Sequence, residues 1–193
     1  MARRILVING HPDHRPERFC AALADAYADG ARTGGHEVRR IYVGALRFGM
    51  LRDPRDFLEP AKDADIRKAQ DDIAWAEHLV IVHPLWEGMA PALLKGFMEQ
   101  AACGGFAFVG GGAGNPKRGL TGKSAHLIVT MGMPALAFRF VFGAFGVRAF
   151  ARGILRLSGV RPVRKTYFGG VELSESRRSG WLKEMAALGR KGH

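Results

Sequence analysis

His78-Leu-Val-Ile-Val-His-Pro-Leu-Trp-Glu-Gly-Met-Ala-Pro-Ala-Leu-Leu-Lys-Gly-Phe97 is the stretch whose reading decides the fold. Leu79 to Val82 is a continuous apolar run rich in β-branched residues, the pattern of a strand covered on both faces. Pro84 ends the run. Pro91 stands where a first helical turn begins, and Ala92, Leu93, Leu94 and Phe97 follow at helical spacing. Trp86 therefore lies just past the carboxyl end of a parallel strand, in the crevice where open α/β sheets bind ligands. A flat indole there can shape a site for a planar ligand. A plain core aromatic is the alternative, and its place after a strand, between Pro84 and Gly88, favours the site.

Outward from this block the pattern alternates strand and helix. Arg4 to Asn9 reads as a first strand. Pro16 to Arg32 reads as a helix with Phe19, Ala22, Leu23, Ala26 and Tyr27 on one face, stopped by Gly34-Gly35. Glu37 to Val43 is a second strand, residues 44–63 a long loop, and Ala64 to Ala76 a helix. The third strand, Leu79 to His83, leads into a helix from Pro91 to Ala102. A glycine-rich connection, Gly104 to Gly122, contains Gly110-Gly-Gly112. Ala125 to Thr130 is the fourth strand. Residues 135–158 are largely helical, interrupted at Gly143 and Gly146. Pro162 to Phe168 is a fifth strand, and Glu175 to Leu188 closes the chain as a helix with Trp181, Met185 and Leu188 inward. Five strands separated by helices imply an α/β fold, a three-layer α/β/α doubly wound five-stranded parallel sheet of order 2-1-3-4-5. All 193 residues are expected to form one domain.

Composition narrows the class. Hydrophobic residues make up 47% and charged residues 24%, as in a globular protein. No stretch has the length of an uncharged membrane span, and the short apolar run Ile5 to Ile8 with no cleavage site reads as a strand rather than a signal peptide. A cytoplasmic location with no membrane insertion is the expectation. Cys20 and Cys103 form no CxxC pair, in keeping with a reducing compartment.

The net charge of +11 is placed unevenly. Residues 100–171 carry 10 basic and no acidic side chains, whereas residues 1–99 carry 14 and 15. Three readings stand, in this order: a solvated basic face, an electrostatic funnel for an anionic ligand such as a dinucleotide, and a nucleic-acid surface. Arg148, Arg152 and Arg156 form a basic stripe that reads as a solvated helix face.

Chemistry is concentrated at three strand ends. After the first strand comes Asn9-Gly-His-Pro-Asp-His-Arg-Pro-Glu-Arg-Phe-Cys20, a loop feeding a helix N-terminus whose N–H groups and dipole suit an anion. His11 and Arg18 can supplement that site, or His11 can simply cap a turn. Neither a dinucleotide-binding glycine fingerprint nor a P-loop is present. After the fourth strand comes Thr130-Met-Gly-Met-Pro134. In a 2-1-3-4-5 sheet the first, third and fourth strands are adjacent, so one ligand can touch all three loops. His11, Asp13 and His14 gather no further ligands, so no metal is expected. His83 reads as a packed residue. Cys20, near a helix N-terminus, is either a thiol of lowered pKa or, preferably, a small residue packed beside phosphate.

These segments carry a resemblance. Val7-Ile-Asn-Gly-His-Pro-Asp13, Phe19-Cys-Ala-Ala-Leu23, Pro84-Leu-Trp-Glu-Gly88 with Pro91-Ala-Leu-Leu-Lys-Gly-Phe97, Gly105-Phe-Ala-Phe108, Thr130-Met131, Gly159-Val-Arg-Pro-Val163 and Phe168-Gly169 resemble, in order, the NAD(P)H dehydrogenase (quinone) family with its flavodoxin-like fold. The resemblance implies a flavin, FAD or FMN, with phosphates near His11, Arg18, Phe19 and Cys20. The ring would lie along Pro84, Leu85, Trp86, Glu87 and Gly88 and along Thr130, Met131, Gly132 and Met133. It implies NAD(P)H as co-substrate, a quinone or related electrophile as acceptor, and two-electron ping-pong transfer through one pocket. It also implies a homodimer in which Phe106 and Phe108 approach the partner's flavin, with Phe138 in the substrate pocket.

The chain departs from the family pattern at four places. Arg15 to Arg18 replace a segment with a small residue before the Phe. Glu87 replaces an aromatic, and Phe138 replaces a Tyr. No His falls in residues 139–146, so no catalytic acid is named. Two other classes remain beside the enzyme: a regulatory flavoprotein, such as an ancillary subunit of a glutathione-gated potassium efflux system, and a basic nucleic-acid-associated protein.

Overall fold

The computed structural model describes residues 1–109 and 117–192. In chain order the elements are β1 (Arg4–Asn9), α1 (Phe19–Thr33), β2 (Glu37–Tyr42), a 3-10 turn (Val43–Ala45), α2 (Pro54–Leu58), α3 (Ala64–Trp75), β3 (His78–Pro84), α4 (Ala92–Ala101), β4 (Phe108–Val109), β5 (Lys117–Arg118), β6 (Ser124–Met131), α5 (Ala135–Phe140), α6 (Phe145–Ala149), a π-helical segment (Phe150–Arg156), β7 (Val163–Gly169) and α7 (Glu175–Lys191). Five strands pair in parallel in the order β2-β1-β3-β6-β7. Among themselves these strands run 2-1-3-4-5, as expected from the alternating pattern.

The period-2 geometry of the strands divides the core in two. Ile5 and Val7 of β1, Val80 and Val82 of β3, and Ile128 of β6 face α1 and α7, meeting Leu23, Tyr27 and Met185. Leu6, Ile8, Leu79, Ile81, Leu127 and Val129 face the other way, against Ile66 and Ile73 of α3, Leu94 and Phe97 of α4, and Val147, Phe150 and Leu155. Every residue of β3 is buried, which is why its sequence reads as an unbroken apolar run.

Some boundaries differ from the sequence reading. The first helix starts at Phe19, not Pro16. Asp13 grips the guanidinium groups of both Arg15 and Arg18, and the Arg18 N–H donates to the Arg15 carbonyl at 3.2 Å, so residues 13–18 close into a turn. Residues 44–63 are not all loop. Asp53 caps α2 by accepting from the Arg55 N–H at 2.8 Å, while the Asp56 carboxylate accepts from the Asp53 N–H at 3.2 Å, with Pro54 opening the helix. The glycine-rich connection contains the antiparallel pair β4–β5, and its Gly110–Gly112 run lies outside the described residues. The 135–158 stretch breaks at Gly143 and Ala144, both left-handed, whereas Gly146 lies inside α6.

Candidate functional site

The ends of β1, β3 and β6, the three central strands, come together at the carboxyl end of the sheet. The Leu85 N–H donates to the Thr130 carbonyl at 2.8 Å, carrying the β3–β6 ladder one residue past Pro84. The chain then reverses. Trp86 and Met89 exchange N–H to carbonyl bonds at 3.0 and 2.8 Å, and the two residues between them, Glu87 (φ 47°) and Gly88 (φ 75°), are both left-handed. This is a type I′ turn. Gly fits the second position without strain, whereas Glu87 carries a Cβ in a region L-residues avoid. Gly146 of α6 packs directly on the turn, and a Cβ there would overlap the Gly88 carbonyl.

Trp86 is 49% exposed. The His11 ring meets it edge-on, with centroids 5.7 Å apart and planes at 80°. His11 is itself fixed: its N–H donates to Asn9 Oδ1 at 3.1 Å, and its Nδ1 accepts from the Asp13 N–H at 2.9 Å. Burial pushes its pKa down. The neutral ring therefore carries its proton on Nε2. Asp13 is held well below the usual carboxylate range by its bonds to Arg15 and Arg18, so Arg18 already has a partner. The first turn of α1 holds no acidic residue and its N-cap makes no side-chain bond, which leaves first-turn N–H groups open to an anion.

Cys20 Sγ lies 3.3 Å from Thr130 Oγ1, joining α1 to β6. Burial pushes the thiol up to about 11, against the smaller opposing effect of the Thr130 hydroxyl. The lowered-pKa alternative for Cys20 is thereby overturned. His83 is fully buried, donates from Nδ1 to the Pro84 carbonyl at 2.9 Å, and is pushed down to about 4 by burial. Its Nε2 has no partner among the described residues.

Two cavities flank the Trp86–Met89 turn. One, of about 710 Å³, is lined by Leu85, Glu87 and Gly88, by Met131, Gly132 and Met133, and by Phe138. The other, of about 730 Å³, takes in Trp86, Glu87, Phe108 and Phe150, with the Lys95–Glu99 ion pair at its wall. The structure thus brings together seven expected positions around the first cavity and Trp86 with Phe108 at the second. Phe138 is almost wholly buried, with its ring 5.9 Å from that of Tyr167.

Other expected positions line neither cavity. Phe19 turns towards α7, its ring 6.1 Å from that of Trp181. Pro84, Cys20 and Thr130 are buried, and Phe106 packs against the core. His11 reaches the group only through Trp86. Sequence reasoning missed the far walls, Gly146 and Ala149 of α6 and Gly153 and Leu157 beyond it. The small residues Gly146, Ala149 and Gly153 at i, i+3 and i+7 are the signal that could have found them. No group of three or more His, Cys, Asp or Glu side chains arranged for a metal occurs among the described residues, and none of their helices is long and apolar enough to cross a membrane.

The sequence model of the family described by its flavodoxin-like fold matches residues 3–189. NAD(P)H dehydrogenase [quinone] 1 of Cavia porcellus is 32% identical over 127 residues, which is 55% of this chain and 45% of that protein. The chain spans 45% to 61% of the length of the curated relatives it matches. A solved structure from Streptococcus mutans UA159 is 29% identical, with a TM-score of 0.75 over 97% of this chain and 98% of that one. The NAD(P)H:quinone oxidoreductase of Methanothermobacter marburgensis shares the fold at a TM-score of 0.80 and 21% identity, over 100% of this chain and 98% of that one.

Proposed function

The chain belongs to the flavodoxin-like fold family, and from that membership we propose that it is a flavin-dependent NAD(P)H oxidoreductase delivering two electrons to quinones or related electrophiles. The observation that carries this reading is the convergence of the β3 and β6 ends on an apolar cavity of about 710 Å³, between Leu85–Gly88 and Met131–Met133, with the β1 end joined to the same group where His11 meets Trp86. Parallel α/β sheets bind ligands at such a switch point. The names of the Cavia porcellus and Methanothermobacter marburgensis proteins support the reaction class.

The residues fit a flavin. The first turn of α1, free of acidic residues, offers N–H groups to a phosphate, with Arg18 beside it once Asp13 yields. Asn9 Nδ2, buried at the end of β1, is a donor without a partner among the described residues. Apolar side chains of Leu85, Met131 and Met133 line the slot, together with Glu87 and Gly88. A bound FMN or FAD supplies reversible uptake of two electrons as hydride. Trp86, held edge-on by His11, stands on the other side of the turn, at the wall of the neighbouring cavity. Phe138 closes the floor of the slot, and Phe108 presents an apolar wall to whatever occupies the neighbouring cavity. Nicotinamide and acceptor use one place in turn, which gives ping-pong kinetics. Two copies pair through the apolar rim of Phe57, Met89, Phe108 and Val109, where Phe106 and Phe108 approach the partner's flavin. The working location is the cytoplasm.

The test is direct. The purified chain is expected to bind flavin, to release FMN or FAD identifiable by mass, and to lose its visible absorption on adding NADH or NADPH. A chain that takes up neither flavin overturns the reading.

A further inference from the structure

The elements α5, α6 and the π-helical segment turn some residues into the cavity walls, and the composition of their exposed side is unusual. Leu136, Phe140, Val141 and Phe145 are 67%, 74%, 77% and 71% exposed. Single exposed apolar residues are ordinary, but a contiguous group marks a contact surface. Around it stand Arg139, Arg148, Arg152, Arg156 and Lys165, all exposed and none in a salt bridge among the described residues. The two sets share one surface. The Arg139 guanidinium lies 5.3 Å from the Phe140 ring and the Arg148 guanidinium 5.7 Å from the Phe145 ring. Arg148, Arg152 and Arg156 follow at i, i+4 and i+8 on successive turns. Lys165 of β7 lies within reach of all four arginines, and burial, with their charge added, pushes its pKa down.

We propose that this face seats the protein on an anionic lipid surface, with the aromatic and aliphatic tips in the headgroup boundary and the five cations on the lipid phosphates. That division of apolar centre and basic surround is what an interfacial element requires. A second copy fits poorly. A two-fold contact puts a patch against itself, and here it would bring ten cations together with no acidic partner. A nucleic acid would use the cations and could stack on Phe140 or Phe145, but Leu136 and Val141 are aliphatic and give a base nothing to stack on. They gain by entering the acyl boundary. Phe142 and Phe145 also line the cavity of about 710 Å³, so docking turns its mouth towards the bilayer, where apolar quinones dissolve.

Vesicle flotation of the full chain tests the proposal. Vesicles of phosphatidylglycerol and phosphatidylcholine are expected to carry the protein at low salt, and vesicles of phosphatidylcholine alone are not. Rising salt should release it, since the attraction is screened over about a Debye length. Arg152→Glu with Arg156→Glu should cut the bound fraction about tenfold, and Leu136→Ser with Val141→Ser should cut it at unchanged charge. Unaltered circular dichroism and thermal unfolding show that these variants fold. Absence of binding to the anionic vesicles overturns the proposal. So does binding of single-stranded oligonucleotides that matches lipid binding in strength and is untouched by the Leu136/Val141 variant. Loss of a dimer in that variant, with the native chain failing to float, assigns the face to a second copy and overturns it as well. Flotation is read without turnover, so its failure is distinct from a failure to bind flavin.

Discussion

The Cys20 thiol and the Thr130 hydroxyl meet 3.3 Å apart, tying the first turn of α1 to the end of β6 across the mouth of the sheet. With its pKa pushed up to about 11, Cys20 is thiolate in only about one molecule in a thousand at pH 8. Cys103 is buried and shifted the same way. The native chain should therefore show no rapid thiol reaction with a chromogenic disulfide, while the urea-unfolded chain should titrate both cysteines. A fast native phase removed by Cys20→Ala would contradict this account.

Glu87 is the strained residue of the Trp86–Met89 turn. A left-handed conformation costs a residue with a Cβ about 1–2 kcal/mol, and the flexibility glycine gains in the unfolded chain returns part of that. Glu87→Gly should therefore raise stability by about 1 kcal/mol in urea unfolding, with an unchanged m-value. A neutral or destabilising result would mean that the Glu87 side chain makes compensating contacts.

Gly146 allows α6 to lie against the Gly88 carbonyl. Gly146→Ala forces the helix and the turn apart, at a cost of about 1–3 kcal/mol typical of overpacking. Since Gly146 borders both cavities, flavin affinity should fall along with stability. Gly153→Ala is the control, because a Cβ there meets nothing within 4 Å.

His83 makes stability depend on pH. Its folded-state pKa of about 4 lies below the ordinary value of 6.5. Between those values the unfolded chain binds the proton and the folded chain does not. Stability is thus complete above pH 6.5 and falls as pH drops towards 4, by about 3 kcal/mol in total. His11, also shifted down, acts with the same sign. His83→Gln should flatten most of this slope. A slope that persists unchanged in that variant would assign it elsewhere.

Much of the architecture was legible because β3 and its neighbours are buried on both faces, and burial on both faces leaves an unbroken apolar run. The strand-end positions followed from topology: once five parallel strands are ordered, Leu85 and Met131 must be neighbours. Less legible were features set by side chains meeting across the chain. The Asp13 grip on Arg15 and Arg18 delays the first helix by three residues, and nothing in the helical periodicity of residues 16–32 reveals it. The Asp53–Asp56 capping box was present as a motif but sat between charges that suggested loop. Gly146 was read as a helix breaker because glycine usually is one, whereas its role depends on a carbonyl 58 positions earlier in the chain. The far cavity walls lie on helices whose pattern records only the side facing the core.

Among the described residues β7 pairs on one side only, with β6, so a row of its backbone N–H and carbonyl groups points outward, ready to accept another strand. Arg164 and Lys165 stand exposed along that row, with Arg161 just before it. If two molecules approached edge to edge, these cations would meet their own kind before a single ladder bond formed. The charge that draws the protein towards anionic surfaces thus also keeps the sheet from lengthening into a shared, fibre-like stack. Neutralising Arg164 and Lys165 together would expose the sheet to that kind of growth.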